Sequence, residues 1–203
     1  MDWQQIASDE TILQTIKSLG LVGIEAEVLE NVTEAKTRVE ELVPAGAEVM
    51  TMSSQTLETS GITALVNDSG KYTSVKNKLS TMDRATQGSQ MQKLGAAPTW
   101  AIGSVHAVAA DGHVVIASNT GSQLGAYAYG SEHVIWVVGA QKIVSNLDMA
   151  IKRVYEYVLG RESERVQKAN GWPGSNVSKM LIVNKETHPG RIKMLIVKEV
   201  VGF

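Results

Sequence analysis

The sequence predicts an α/β protein with a mostly parallel sheet flanked by helices and an inserted antiparallel hairpin. Segments with helical and strand periodicity alternate along most of the chain, which is the pattern of a parallel sheet with crossover helices. Between two apolar runs, Asp111-Gly112 predicts a two-residue hairpin, whose type I′ turn would need positive φ at both positions. No repeat or linker divides the chain, so we expect one domain over residues 1–203.

The first half of the chain alternates between helix and strand. Each predicted helix repeats apolar residues every three or four positions, and each predicted strand is a short apolar or alternating run. In chain order the elements are a helix after Ser8 or Asp9 with Ile12, Leu13, Ile16 and Leu19 on one face and Gly20 at its end, a strand over 21–29, a helix with Ala35, Val39, Leu42 and Val43 inward, a strand over 49–52, and helical patterns over 57–66, 72–82 and 91–94.

The second half contains more strands. Two of them form the predicted hairpin and a third precedes it. Further along, a long amphipathic helix follows a buried strand. In chain order the elements are strands over 99–102, 105–109 and 113–117, a short helix over 124–129, a strand over 134–138, a helix capped by Ser145 or Asn146 with Leu147, Ile151, Val154, Tyr155 and Val158 inward, a polar helix over 160–169, and strands over 180–183 and 192–201 joined by a turn at 187–190.

Composition excludes several classes of protein. The chain has no Cys, so a disulfide framework, a thiolate nucleophile and a cysteine-ligated iron–sulfur cluster of its own are excluded. A formal net charge of −2 gives no reason to expect nucleic acid as a partner. The longest apolar run, 134–138, is too short to cross a membrane, and the first residues, MDWQQ, do not resemble a signal peptide. We therefore expect a cytoplasmic protein with no membrane partner.

Two polar segments that follow predicted strands mark the expected ligand site. Ligands of such sheets bind beyond the carboxyl ends of the strands, and free backbone N–H groups at helix starts favour anions, so the segments predict a site for a small anion. The alternative is that these residues only cap helices. We expect Gly121 to let the backbone approach the ligand, so that Gly121→Val would remove binding and leave the fold intact. The candidates are Ser53, Ser54, Asn119, Thr120, Gly121, Ser122 and Gln123.

Three further residues are candidates for the site. His106 lies in the predicted strand over 105–109, beside Ser104, and these two residues are the candidates for catalysis, although His106 could also be a half-buried, hydrogen-bonded structural residue. Lys142 follows the strand over 134–138 and either binds the anion with its ammonium group or faces solvent. No two of the four His are three or four residues apart and no nucleotide-binding motif is present, so we expect neither a metal nor a cofactor.

Several stretches of the chain resemble the LUD-domain family, and within it the lactate-utilisation protein C branch. The most specific stretches read IGSVHAV at 102–108, VIASNTGSQL at 115–124 and WVVGAQKIV at 136–144. Shorter agreements are SSQTL at 53–57, GI at 61–62, DG at 111–112, PGR at 189–191 and GF at 202–203. The chain departs from the family at the hairpin, where many members have Glu-Thr-Gly-Thr and this sequence reads ADGH at 110–113.

The resemblance implies a fold similar to that of sugar-phosphate isomerases, coenzyme A transferases and 5-formyltetrahydrofolate cyclo-ligase. It also implies a part in oxidising L-lactate to pyruvate, within a complex whose other subunits carry iron–sulfur clusters. That expectation agrees with the lack of Cys in this chain. The resemblance carries over no catalytic residue, and the departure at the hairpin removes the Glu that the family pattern would place there.

Three functions follow from these observations. The first is an accessory subunit of a lactate-oxidising system, with iron–sulfur oxidoreductase subunits and a small anionic ligand as partners. The second is a stand-alone enzyme that acts on a phosphorylated or acyl-coenzyme A substrate, and the third is a non-catalytic ligand sensor. An enzyme would bring titrating groups with perturbed pKa values into one pocket, whereas a sensor would not. Whether the chain is catalytic and whether it forms a homo-oligomer are both left open.

Overall fold

The computed structural model describes residues 2–203, which form two sheets with helices packed around them. The strands are β1 (Glu25–Leu29), β2 (Glu48–Thr51), β3 (Thr73–Ser74), β4 (Trp100–Gly103), β5 (Ala107–Ala109), β6 (Val114–Ser118), β7 (His133–Gly139), β8 (Ile143–Val144), β9 (Lys179–Val183) and β10 (Ile192–Val197). The helices are α1 (Asp9–Leu21), α2 (Val32–Leu42), α3 (Gln55–Thr59), α4 (Ile62–Asp68), α5 (Val75–Ser80), α6 (Arg84–Ala96), α7 (Leu147–Arg153) and α8 (Leu159–Asn170).

The large sheet has six strands in the order β1-β10-β7-β4-β2-β3, and every pair is parallel. Its central strands are covered on both faces, because successive side chains of a strand point to opposite sides. In β10, Met194 packs into the cluster that contains α1, whereas Leu195 packs into the cluster that contains α2 and α4. The predicted α/β class, a parallel sheet flanked by helices, is therefore confirmed.

The predicted hairpin forms part of a second sheet instead of joining the first. Its strands β5 and β6 pair antiparallel, β9 pairs antiparallel with β6, and β8 pairs parallel with β5, giving the order β8-β5-β6-β9. The last two predicted strands consequently separate: β9 lies in the small sheet and β10 in the large one. One apolar cluster contains Trp136 of β7 together with Val114 and Ile116 of β6, so the two sheets share a core.

The turn between β5 and β6 differs from the prediction. Only Gly112 has a positive φ, +101°, and among the described residues no residue other than Gly has a positive φ. The turn is therefore not of type I′, which requires positive φ at both central residues. The Asp111 carboxylate instead accepts a hydrogen bond from the His113 backbone N–H at 3.3 Å.

Two predicted helix faces need correction. In α1 the buried residues are Ile12, Thr15, Ser18 and Leu19, whereas Leu13 is 63% exposed. The helix over 145–158 begins at an Asn146 cap and runs through a π-helical turn, Val154–Val158, directly into α8. Tyr155, predicted to face inward, is exposed. An apolar residue at the edge of the apolar face of a helix can point either toward the core or toward solvent, and periodicity alone does not decide which.

The described residues contain no helix that combines the length and the apolar character needed to cross a membrane.

Candidate functional site

A cavity of about 320 Å³ lies where the carboxyl ends of β2 and β4 meet the small sheet and α8. Its position is the one expected for a ligand site of an open parallel sheet. The structure brings nine of the ten predicted site residues to this cavity. They are Ser53, Ser54, Ser104, His106, Asn119, Thr120, Ser122, Gln123 and Lys142.

Gly121 is the predicted residue that does not line the cavity. Its backbone N–H donates to Ser118 Oγ at 2.9 Å, and the next amide, that of Ser122, donates to Thr120 Oγ1 at 3.3 Å. A Cβ at Gly121 would lie 2.7 Å from the side chain of Lys179, and the φ of +88° is already unfavourable for any other residue. Gly121 therefore serves the turn, and Gly121→Val is expected to strain that turn instead of blocking a ligand.

The polar character of the cavity comes from side chains, not from helix dipoles. The segment over 53–56 leads into α3, which has five residues, and the segment over 118–123 leads into a five-residue π-helical turn, Ala126–Gly130. These elements are too short to direct a helix dipole at a ligand. Ser54, at the N-cap of α3, makes no side-chain capping bond.

Lys142 is the most unusual group of the site. It ends the short 3₁₀ turn Ala140–Lys142 between β7 and β8, and only 1% of it is exposed. Its Nζ is 3.0 Å from Thr56 Oγ1, 3.1 Å from Ser104 Oγ and 3.3 Å from the Val105 carbonyl oxygen. Each of these partners is uncharged, although buried lysines are ordinarily paired with a carboxylate.

A second buried basic residue lies behind the cavity. Arg153 of α7 is fully buried, and it donates to the His106 carbonyl oxygen and to the Trp3 carbonyl oxygen. Burial lowers the pKa of Arg153 to about 10, so its guanidinium remains charged at neutral pH. Burial first, and the Arg153 charge second, hold the pKa of Lys142 well below its ordinary value. The region around Arg153 and Lys142 therefore has a positive potential, and neither residue hydrogen-bonds to a carboxylate.

His106 is held as a neutral imidazole. Its Nδ1 accepts the backbone N–H of Ala117 at 3.1 Å, which leaves the proton on Nε2. Burial, followed by the charges of Lys142 and Arg153, lowers the pKa of His106 to about 3. A His in this state can donate a hydrogen bond through Nε2 but takes up a proton only in strong acid.

The depressed pKa of His106 predicts a loss of stability in acid. Because the unfolded chain binds a proton near pH 6.5 and the folded chain only near pH 3, this stability is complete above about pH 6.5 and is lost as the pH falls toward about 3. We expect the free energy of unfolding to fall by about 2 to 3 kcal/mol more in the wild type than in His106→Gln between about pH 6 and about pH 4. Urea denaturation of both proteins across this range measures the difference, and equal slopes would contradict the assignment.

Tyr127 is a site residue that the sequence analysis did not identify. It is 1% exposed, lines the cavity and packs edge-on against Trp136 with ring centroids 5.6 Å apart. Its hydroxyl donates to no group within residues 2–203, and the Ser104 backbone N–H approaches its oxygen. Burial raises the pKa of this phenol, so the hydroxyl stays protonated and is available as a donor. The ring fits only because Gly103 has no side chain, since a Cβ there would overlap the Tyr127 hydroxyl.

Arg153 was missed for a different reason. It lies one position before Val154 in a helix that reads as an ordinary amphipathic helix, where an Arg normally extends into solvent. The spacing of Ala150, Arg153 and Val154 along one helix face was the signal that could have indicated a buried Arg.

On the far side of the cavity, α8 contributes Glu162 and Arg165, which pair at 2.7 Å.

The geometry suits two kinds of chemistry. The buried basic groups and the hydroxyls favour a small anion, and a Ser, a Lys and a Tyr in one cavity can also exchange protons. Residues 2–203 contain no cluster of three or more His, Asp or Glu placed to hold a metal ion.

Comparisons with known proteins agree on the fold. The family model described as the LUD domain matches residues 12–197. A solved structure, that of a DUF162 family protein from Deinococcus radiodurans, superposes with a TM-score of 0.57 at 11% sequence identity, covering 95% of this chain and 99% of that chain. At this identity the likeness concerns the fold alone. A search of curated proteins found no match.

Proposed function

Because this chain belongs to the LUD-domain family, which is associated with lactate utilisation in general, we propose that it is an accessory subunit of an iron–sulfur L-lactate-oxidising system. Within the family we assign it to the lactate-utilisation protein C branch, on the stretches at 102–108, 115–124 and 136–144. Its role is to bind a small carboxylate, lactate or pyruvate, in the cavity beside Lys142. The protein works in the cytoplasm.

The observation that carries this proposal is a pair of buried basic side chains, Lys142 at the cavity and Arg153 behind it, that have no carboxylate among their hydrogen-bond partners. Lys142 and Arg153 are both buried, and their hydrogen-bond partners are hydroxyl and carbonyl oxygens. Burial and the Arg153 charge favour the neutral form of Lys142 in the free protein, and a bound anion would stabilise its ammonium form. The fixed donors around the cavity, including the Tyr127 hydroxyl and His106 Nε2, supply hydrogen bonds to the same ligand.

The size of the cavity supports a small ligand. At about 320 Å³ it lies at the lower end of the range for small-molecule sites. A two- or three-carbon acid fits this space, whereas an intact coenzyme A is too large to be enclosed in it. The ligand class that best combines this size with the charge is therefore a small hydroxy or keto acid.

The composition of this chain indicates which tasks the partner subunits would perform. The sequence has no Cys, so a cysteine-ligated cluster cannot be assembled from its residues. Oxidising a hydroxy acid to a keto acid removes two electrons, which the proposal assigns to the iron–sulfur subunits. The chain then contributes substrate or product binding and contacts with those subunits.

Genetic complementation tests the proposal. Deleting the gene in its native host, with no paralogue present, is expected to abolish growth on L-lactate while leaving growth on glucose unchanged. A plasmid with the wild-type gene or with the exposed-site control Lys93→Met restores growth, and an affinity-tagged copy retains iron–sulfur subunits on purification. Normal growth of the deletion strain on lactate would reject the lactate role, and recovery of the tagged chain without such subunits would reject the accessory role.

A further inference from the structure

We propose that Ser104 and Lys142 form a serine–lysine dyad that hydrolyses an ester or thioester of a small carboxylic acid in the cavity. This activity goes beyond the binding role proposed above. It concerns a nucleophile and a base that lie in direct contact: Ser104 Oγ is 3.1 Å from Lys142 Nζ, and both residues line the cavity.

The hydrogen bonds around Lys142 define which partner can give it a proton. The Val105 carbonyl can only accept, and the Thr56 hydroxyl is within reach of the Val201 carbonyl oxygen at 3.3 Å, which takes its hydrogen. An amine that donates its two hydrogens to Val105 and Thr56 keeps its lone pair for the third partner. That partner is Ser104, whose own alternative acceptor, the Val105 carbonyl oxygen, is 3.5 Å away. The ammonium form of Lys142 donates to Ser104 Oγ at 3.1 Å, whereas in the neutral form the Ser104 O–H donates to Nζ across the same contact.

The surroundings of Lys142 favour the neutral amine that a base requires. Burial and the positive charge of Arg153 both lower the pKa of Lys142. The other titratable groups at the cavity are His106, which is neutral, Tyr127, which stays protonated, and Glu162 paired with Arg165 on α8. None of these groups supplies a carboxylate hydrogen bond to the amine, so the resting dyad is a hydroxyl and a free base.

The reaction then proceeds by acyl transfer in two steps. Ser104 Oγ attacks the acyl carbon while Lys142 Nζ takes the hydroxyl proton, and the bond to the alcohol or thiol breaks as Nζ–H returns the proton to that leaving group. Water attacks the acyl-serine with Lys142 again as the base, which releases the carboxylic acid and regenerates the hydroxyl. The sum is acyl ester plus water giving acid plus alcohol, and no oxidant or metal enters.

Tyr127 is placed to assist both steps. A Cβ at Gly103, the residue before Ser104, would overlap the Tyr127 hydroxyl, so the phenol lies against the backbone that presents the nucleophile. The hydroxyl is buried and donates to no group in the described part of the chain, while the Ser104 backbone N–H approaches its oxygen. A fixed, unpaired donor beside a nucleophile stabilises the oxyanion that develops on the acyl oxygen.

Covalent labelling with methanesulfonyl fluoride, a reagent small enough for the cavity, tests the dyad. The purified protein is expected to gain one methanesulfonyl group, which peptide mass spectrometry places on Ser104. Ser104→Ala should not be labelled, and Lys142→Met should be labelled at least about 100-fold more slowly, because general-base assistance is lost. The matched surface controls Ser89→Ala and Lys93→Met should react at the wild-type rate. Hydrolysis of p-nitrophenyl acetate should follow the same order.

The pH dependence of labelling supplies a test that needs no variant. In the wild type the rate is expected to rise with pH and reach a plateau, with a midpoint below the ordinary lysine pKa of about 10.4. Circular dichroism and melting curves verify that each variant is folded. Absence of a Ser104 adduct in the wild type, undiminished labelling of folded Lys142→Met, or a midpoint at the ordinary lysine value would overturn the dyad. Because the assay involves no lactate and no partner subunit, its failure would leave the proposed accessory role standing.

Discussion

Gly103→Ala is expected to lower the free energy of unfolding by about 3 kcal/mol. The new methyl group would overlap the Tyr127 hydroxyl, lie 2.9 Å from Tyr127 Cζ and lie 3.2 Å from Met52 Cβ. The Tyr127 ring cannot retreat easily, because it is buried edge-on against Trp136. Urea denaturation of the wild type and the variant measures the effect.

Two further variants separate this overlap from a general effect of replacing Gly. Gly160→Ala, in α8, is the matched control, since nothing lies within 4 Å of a Cβ there and Ala favours a helix by about 1 kcal/mol. Adding Tyr127→Phe to Gly103→Ala removes the overlapping oxygen and should recover at least about 1 kcal/mol. Wild-type stability of Gly103→Ala would show that the close packing of Tyr127 has been misjudged.

Lys142→Met is expected to weaken the binding of L-lactate or pyruvate by about 10- to 100-fold, the value of a buried charge-assisted hydrogen bond of about 1.5 to 3 kcal/mol. The variant should also lose a pH dependence that the wild type shows. In the free wild type the pKa of Lys142 is held below its ordinary value, whereas a bound anion stabilises the ammonium and raises that pKa. Binding therefore takes up a proton, and the affinity of the wild type rises as the pH falls toward the lowered pKa.

Isothermal titration calorimetry in two buffers of different ionisation enthalpy measures both the affinity and the proton uptake. Lys93→Met, at an exposed position of α6, should bind as the wild type does. Equal affinity of Lys142→Met and the wild type at every pH would exclude Lys142 from the ligand site. Tight binding without proton uptake would instead show that the lysine is already charged in the free protein.

The sequence allowed the fold to be predicted wherever local pattern decides it. The nearly continuous apolar runs of β7 and β10 are buried on both faces, so their composition alone indicated a parallel sheet. The membership of the hairpin in a second sheet was not predictable, because β8 is only two residues long and pairs with β5 through a long-range contact. The exposure of Leu13 likewise depends on which flank of α1 the sheet covers.

The candidate site was predictable in part for the same reason. Ser53 and Lys142 each follow a strand of the parallel sheet, whose carboxyl ends meet at one edge, so the sequence brought these two together. Asn119 follows β6 of the small, antiparallel hairpin, and its arrival at the same cavity does not follow from that rule. The burial of Arg153 and the unpaired hydroxyl of Tyr127 depend on side chains from distant segments that only the folded chain places. Gly121 was misplaced because its hydrogen bond to Ser118 uses the amide that the sequence pattern left free.

The short connection Ala140–Lys142 links the centre of the large sheet to the edge of the small one. With one residue added there, β7 could still pair within the large sheet and β8 within the small one. The addition would, however, rotate the Lys142 side chain by roughly a third of a helical turn, away from its three oxygen partners. The number of residues between the two strands is thus constrained by the amine and not by the sheets. Among relatives that keep this lysine, we expect the lengths of other loops to vary, whereas the connection over 140–142 should contain neither insertions nor deletions.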